Sequence, residues 1–263
     1  MNKLKYHVNF IGMENDFEAI KRLAKDLVSR SKPPEFYSEH ASECEHAEKF
    51  FNTNAVIIKL KAFVEKEIEN DFGHGLAHSI KVALDAGALV IIECRIAHYT
   101  EEQINRMLLL AQCAGLLHDI KRKKKNHAVR SAEFAYDILQ TYDLEPLEID
   151  DICLAIRNHE AFKNITGNFS KDGRMISNCL YDADKFRWGP DNFAHTVWEM
   201  VSFSKIPLSL FVSHFPGGMK IINKIKKTFR SSTGRKFGPD FINIGIAIGN
   251  ELYSIITDKA DSL

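Results

Sequence analysis

The stretch that most constrains this chain is Met107-Leu-Leu-Leu-Ala-Gln-Cys-Ala-Gly-Leu-Leu117, an apolar run that ends in His118-Asp119. A helix that is apolar on every side is buried. An imidazole and a carboxylate at its end are costly to bury unless something pairs with them. Neighbouring helical residues point about 100° apart, so the two do not normally serve each other. A metal ion holds both, one through an imidazole nitrogen and one through a carboxylate oxygen. The pair therefore asks for further ligands elsewhere in the chain.

Composition admits such a buried site. The chain has 263 residues, enough for one large domain or two small ones with a sizeable core. Apolar residues make up 45% and charged residues 27%, which is ordinary for a soluble globular protein. Lys plus Arg and Asp plus Glu both number 35, so the charge balance points to neither a nucleic acid nor a membrane as partner. Cys44, Cys94, Cys113, Cys153 and Cys179 are scattered, with no Cys-x-x-Cys pair, and read as reduced thiols of a cytosolic protein. The start, Met1-Asn-Lys-Leu-Lys-Tyr6, lacks the apolar core of a signal peptide. The longest apolar runs fall far short of the roughly 20 residues a membrane helix needs. A cytoplasmic location is expected.

Helical periodicity dominates. Phe17, Ile20, Leu23 and Leu27 form one stripe and Ile57, Leu60, Val64 and Ile68 another, with Pro33-Pro34 breaking between them. A helix is expected from Gly75 to Arg95, and the next starts at Thr100-Glu-Glu-Gln103 with capping chemistry and runs to the His-Asp pair. Further helices are expected over 127–141, 146–157, 175–186 and 191–204, with a loop over 162–173. Pro207, Pro216 and Gly217-Gly218 read as loops, Gly234 to Gly238 as a loop before the last helix, and that helix as starting at Pro239-Asp240. The expected fold class is all-α.

Several of the 11 histidines fall where helices begin or end. His74 and His78 are four apart, on one face if a helix includes both. His127 opens a helix, His159 follows Ile156-Arg-Asn158, and Asp182 and Asp184 lie in Tyr181-Asp-Ala-Asp-Lys-Phe186. Helix bundles build metal sites from side chains that project inward in this way.

These words resemble those of the HD-domain metal-dependent phosphohydrolases. His74-Gly-Leu-Ala-His78 is similar to the family's first-histidine helix, Gly115-Leu-Leu-His-Asp-Ile120 to the pattern that names it, and Asp182-Ala-Asp-Lys-Phe186 to its closing Asp-x-Asp-Lys motif. The resemblance implies His78, His118, Asp119 and Asp184 as ligands of one metal. The resemblance covers residues 70–190, the expected HD metal-binding core, and does not explain the flanks. The helical patterning makes the chain a single HD-type helical domain, with residues 1–69 as an N-terminal helical extension packed on the core and 191–263 as C-terminal helices of the same domain. His127-Ala-Val-Arg130 and Arg157-Asn-His-Glu160 resemble the words that hold a second metal in dinuclear members, where the Asp of the His-Asp pair bridges the ions. His127 follows His118 by only nine residues, closer than in many dinuclear members. In nucleoside-triphosphate-cleaving members such histidines act on the phosphate, so His127 reads as a ligand or as a phosphate-contacting catalyst. The Gly-Tyr-Pro word of the cyclic-dinucleotide phosphodiesterase branch is absent.

The chemistry expected is hydrolysis of a phosphate ester of a nucleotide or other small phosphorylated metabolite by a metal-activated hydroxide. Two ions about 3.5–4 Å apart polarise a phosphoryl oxygen and lower the pKa of bound water, so no nucleophilic side chain is needed. One or two divalent ions per chain are expected. Mixed imidazole and carboxylate ligation suits manganese, iron, cobalt or nickel, with magnesium and zinc also admitted. Asp119 and His127 are the catalytic candidates. Lys185 is a candidate to neutralise a phosphate, and His74 to orient a substrate oxygen or act as an acid. Asp182 reads as a helix-capping or supporting carboxylate. The run Lys121-Arg-Lys-Lys-Lys125 reads as a solvated loop, with a funnel for anionic substrates as its alternative. Two other function classes fit the same residues: a mixed-valence di-iron oxygenase of the HD fold, and a non-catalytic module that keeps the metal as a staple or sensor. Oligomeric state is left open.

Overall fold

The structure is a computed structural model that describes residues 13–68, 75–198 and 207–260. Its elements, in chain order, are α1 (Met13–Arg30), α2 (Glu35–Glu39), α3 (Ala41–Thr53), α4 (Ala55–Glu67), α5 (Leu76–Ile96), α6 (Glu101–Leu117), α7 (His127–Leu139), α8 (Pro146–Arg157), α9 (Lys171–Phe186), a π-helical turn (Asn192–Thr196), α10 (Leu208–Ile225) and α11 (Ser232–Ala260). No strand occurs among the described residues, so the all-α expectation holds.

The centre is the pair α5 and α6, which pack on each other along their length. Gly115 makes the approach close: a Cβ there would lie 2.4 Å from Ala83 Cα. Gly87 plays the same part higher up, against Leu108 Cδ1 at 2.7 Å. Around this pair, α3 and α9 pack on α5, and α4, α8 and α9 on α6, while α7 lies on α8. Thr100 starts α6 with a complete capping box: its hydroxyl accepts from Gln103 N, and the Gln103 side chain accepts from Thr100 N at 2.9 Å. Asn54 caps α4 by accepting from Val56 N and Ile57 N.

Several expectations need correction. α2 and α3 fill the stretch after Pro34, where no helix was expected; α3 is mostly polar and fully buries only Ala47 and Phe51. The helix expected from Met175 starts at Lys171, because Ser170 caps it by accepting from Gly173 N at 2.9 Å. Within the expected helix 191–204, a π-helical turn spans Asn192–Thr196, and residues 199–204 lie outside the described residues. Pro216 and Gly217-Gly218 sit inside α10. They lie on its exposed side, while Phe211, Phe215, Ile222 and Ile225 are buried, and that burial outweighs the bond Pro216 cannot donate. The last helix starts at Ser232, not Pro239. Its Gly234 and Gly238 allow close packing: added Cβ atoms would lie 2.0 Å from Asp182 Oδ2 and 2.3 Å from Phe229 Cε2.

α11 is held to the rest by aromatic packing. Phe241 stacks on Phe186 of α9 with ring centroids 3.9 Å apart, and Phe36 of α2 packs on both. Beside them the buried Arg187 guanidinium bonds Asp85 of α5 and Asp191, and donates to Tyr37 Oη at 2.9 Å. Tyr37 in turn donates to Asp85 Oδ2 at 3.0 Å. Among the described residues no helix is long and apolar enough to cross a membrane.

Candidate metal centre

α6, α8 and α9 end at one side of the bundle, where α5 and α7 begin. Carbonyl-rich helix ends carry partial negative charge and favour a cation. His118 stands at the end of α6, fully buried. Its Nδ1 lies 2.8 Å from Gly115 O. A carbonyl only accepts, so Nδ1 carries the proton and Nε2 presents a lone pair. Burial pushes the ring down to about 3, which keeps it neutral. His159 follows α8 with the same device: Nδ1 donates to Ile156 O at 2.7 Å, and Nε2 faces the site.

These lone pairs meet acceptors. His118 Nε2 lies 3.2 Å from His78 Nε2, 3.6 Å from Asp119 Oδ2 and 3.8 Å from Asp184 Oδ1. His78 Nε2 is 3.3 Å from Asp184 Oδ1. On the other side of Asp119, Oδ1 lies 3.3 Å from both His127 Nε2 and His159 Nε2. Asp119 thus stands between two histidine groups, one facing each oxygen. Two overlapping triads have metal-ligand spacing: His78, His118 and Asp119, and Asp119, His127 and His159. Asp184 joins the first through its Oδ1.

The donor set fits a divalent cation. His118 commits Nδ1 to Gly115 O, and its Nε2 beside the Asp119 and Asp184 carboxylates makes a place that attracts a cation. Two donors each about 2.1 Å from one ion, at bond angles of about 90–110°, lie about 3.0–3.4 Å apart. Four of the separations, at 3.2 and 3.3 Å, match that span, while His118 Nε2 lies farther from Asp119 Oδ2 and Asp184 Oδ1, at 3.6 and 3.8 Å.

The carboxylates are kept ionised. Burial alone would raise the Asp184 carboxyl, but the Lys185 ammonium and the hydrogen bond from His78 hold it well below the usual carboxylate range. Lys185 is itself buried, with its ammonium on Asp184 Oδ2 and 5.1 Å from the Tyr181 ring centre. Its charge therefore acts on Asp184. Asp182, two residues earlier, points away from the centre and accepts from Arg230 N, Ser231 N and Ser231 Oγ at 2.7–2.8 Å, so it anchors the segment that opens α11. His74 lies outside the described residues.

Two arginines near the centre carried no sequence signal of their own. Arg230 lies over the Tyr181 ring at 3.5 Å and donates to Asn158 O at 2.9 Å, beside His159. Arg122, inside the basic run, reaches His127. The rest of that run divides: Lys121 lies over the Phe134 ring at 3.7 Å, and Lys123, Lys124 and Lys125 are exposed. The five cysteines are free thiols, none of them within either triad.

Fold and site together define a protein whose described residues are helical, with His/Asp groups at one end of its bundle that could hold a metal ion. Residues 75–187, from the start of α5 to the end of α9, match the family model of the HD domain, and that segment is an HD domain. HD domains imply a superfamily of metal-dependent hydrolases, in agreement with the donor set. No curated protein and no solved structure matches the chain.

Proposed function

We propose that the protein is a metal-dependent phosphohydrolase that cleaves a phosphate ester of a nucleotide or another small phosphorylated metabolite. The observation that carries this reading is the convergence of four histidine Nε2 atoms on the Asp119 and Asp184 carboxylates. His78, His118, Asp119 and Asp184 hold one divalent ion. His127 and His159 face the other oxygen of Asp119, as ligands of a second cation or as contacts to the phosphate. A divalent ion held there polarises a phosphoryl oxygen and makes water a nucleophile near neutral pH.

The side chains do the rest. The carbonyls of Gly115 and Ile156 fix the tautomers of His118 and His159, so the donor atoms face inward before any ion arrives. Lys185 keeps Asp184 ionised. Burial pushes His127 down to about 4, so it meets a phosphate as a neutral ring. It sits at the first position of α7, where the helix end favours an anion.

Metal analysis and a panel of nucleotides and simple phosphate esters with manganese test the proposal together. Turnover of at least one ester is expected. Metal-loaded protein inert towards the whole panel overturns it. The placement of Asp119 between two histidine pairs also suits a mixed-valence di-iron oxygenase. That reading predicts a paramagnetic signal on partial oxidation and oxygen uptake, and an ion count of about one per chain removes it.

A further inference from the structure

The face formed by Asp119 Oδ1, His127 and His159 already contains a cation. Arg122 Nη1 lies 2.7 Å from His127 Nε2 and 3.6 Å from Asp119 Oδ1. A guanidinium has donors and no acceptor, so the bond fixes His127 Nε2 as the acceptor. That lone pair is the one a second metal would need. An ion about 2.1 Å from His127 Nε2 and from Asp119 Oδ1 would occupy the space that Arg122 Nη1 now fills. It would also face a full positive charge at contact distance.

The placement is built in. Arg122 N donates to the backbone carbonyl of Asp119 at 2.9 Å, a turn that keeps the two residues close. Asn126 then takes a left-handed φ of 57° and returns the chain into α7, which brings His127 under the guanidinium. The Arg122 side chain is 36% exposed, so it reaches the centre from the solvent side.

We propose that Arg122 takes the place of a second metal ion, so that the centre is mononuclear and the guanidinium supplies the second positive charge at the Asp119–His127–His159 face. The inference rests on the metal-binding reading above and narrows it. Substrate phosphate would meet one metal ion on the His118 side of Asp119 and a guanidinium fork on the other. Arginine suits this part because its charge is permanent and its fork matches phosphate oxygens.

Metal stoichiometry tests it without any substrate. Wild type, Arg122→Met and the double variant Arg122→Met/His127→Ala are loaded with manganese, desalted and analysed for metal, with the paramagnetic spectrum recorded. Wild type is expected to hold about one ion per chain with the spectrum of an isolated ion. Arg122→Met, which keeps the apolar stem, is expected to hold about two with a spin-coupled spectrum. The double variant is expected to return to about one, which places the added ion at His127. About two ions in wild type, or about one in Arg122→Met, overturns the inference and leaves the phosphohydrolase reading standing. No ion in any of the three overturns both.

Discussion

His118 is held from two sides. Its Nδ1 is committed to Gly115 O, and its Nε2 is committed to the centre, in a place with no access to solvent. Replacing it with alanine removes a donor that no neighbour can supply. His118→Ala is expected to lose at least about ten-fold in metal content after desalting, and about a hundred-fold or more in turnover of any ester the wild type cleaves. Elemental analysis and a phosphate-release assay check the two losses. At this scale the sequence was informative where the words were local. Each of His78, His118, Asp119, His127, His159 and Asp184 sits at the end or beginning of a helix that patterning had placed, and all six converge. Arg122 was not legible. In a run of five basic residues nothing marks which one turns inward, and the answer depends on the left-handed turn at Asn126.

Between elements, the decisive contact is Gly115 of α6 against Ala83 of α5. A side chain at 115 meets backbone, which cannot swing aside as a long side chain can. Gly115→Ala forces the two helices apart at the level of the metal centre, where His78 and His118 must stay within ligand distance of one ion. We expect a loss of about 1–3 kcal/mol in unfolding free energy, measured by urea titration. A weaker manganese affinity should accompany it, and unchanged affinity would show that the centre tolerates the shift. The long apolar helices were legible because burial on all sides leaves no ambiguity. α3 was not, since it buries so little that its pattern is mostly polar. The glycines and prolines of α10 and α11 misled for a related reason. Their local preference is to break a helix, and only the partner surface decides that Gly234 is needed against Asp182 and that Pro216 faces solvent.

For the molecule as a whole, an ion held by side chains from five helices would bind the folded chain and not the unfolded one, so ligand and stability are linked. Manganese at about 100 times its Kd is expected to stabilise the fold by about 2.7 kcal/mol. Thermal melts with and without chelator measure the shift, and the melt of His118→Ala should not respond. An equal shift in that variant would place the stabilising ion elsewhere. The family match ends at residue 187, yet α11 is tied to the HD segment by the stack of Phe241 on Phe186 and by Asp182. These ties were beyond the reach of the sequence, because nothing in the periodicity of residues 229–241 says which surface that segment will meet.

The two rings that borrow carbonyls from the last turns of α6 and α8 have one more effect. Each ring plugs its own helix terminus and, in the proposed centre, would also be a donor to the ion. Unwinding either terminus by a turn therefore swings a donor atom out of reach, and losing the ion frees both termini to fray. Amide exchange near Leu117 and Asn158 should slow together when the ion binds, so that two helix ends far apart in the sequence report a single event.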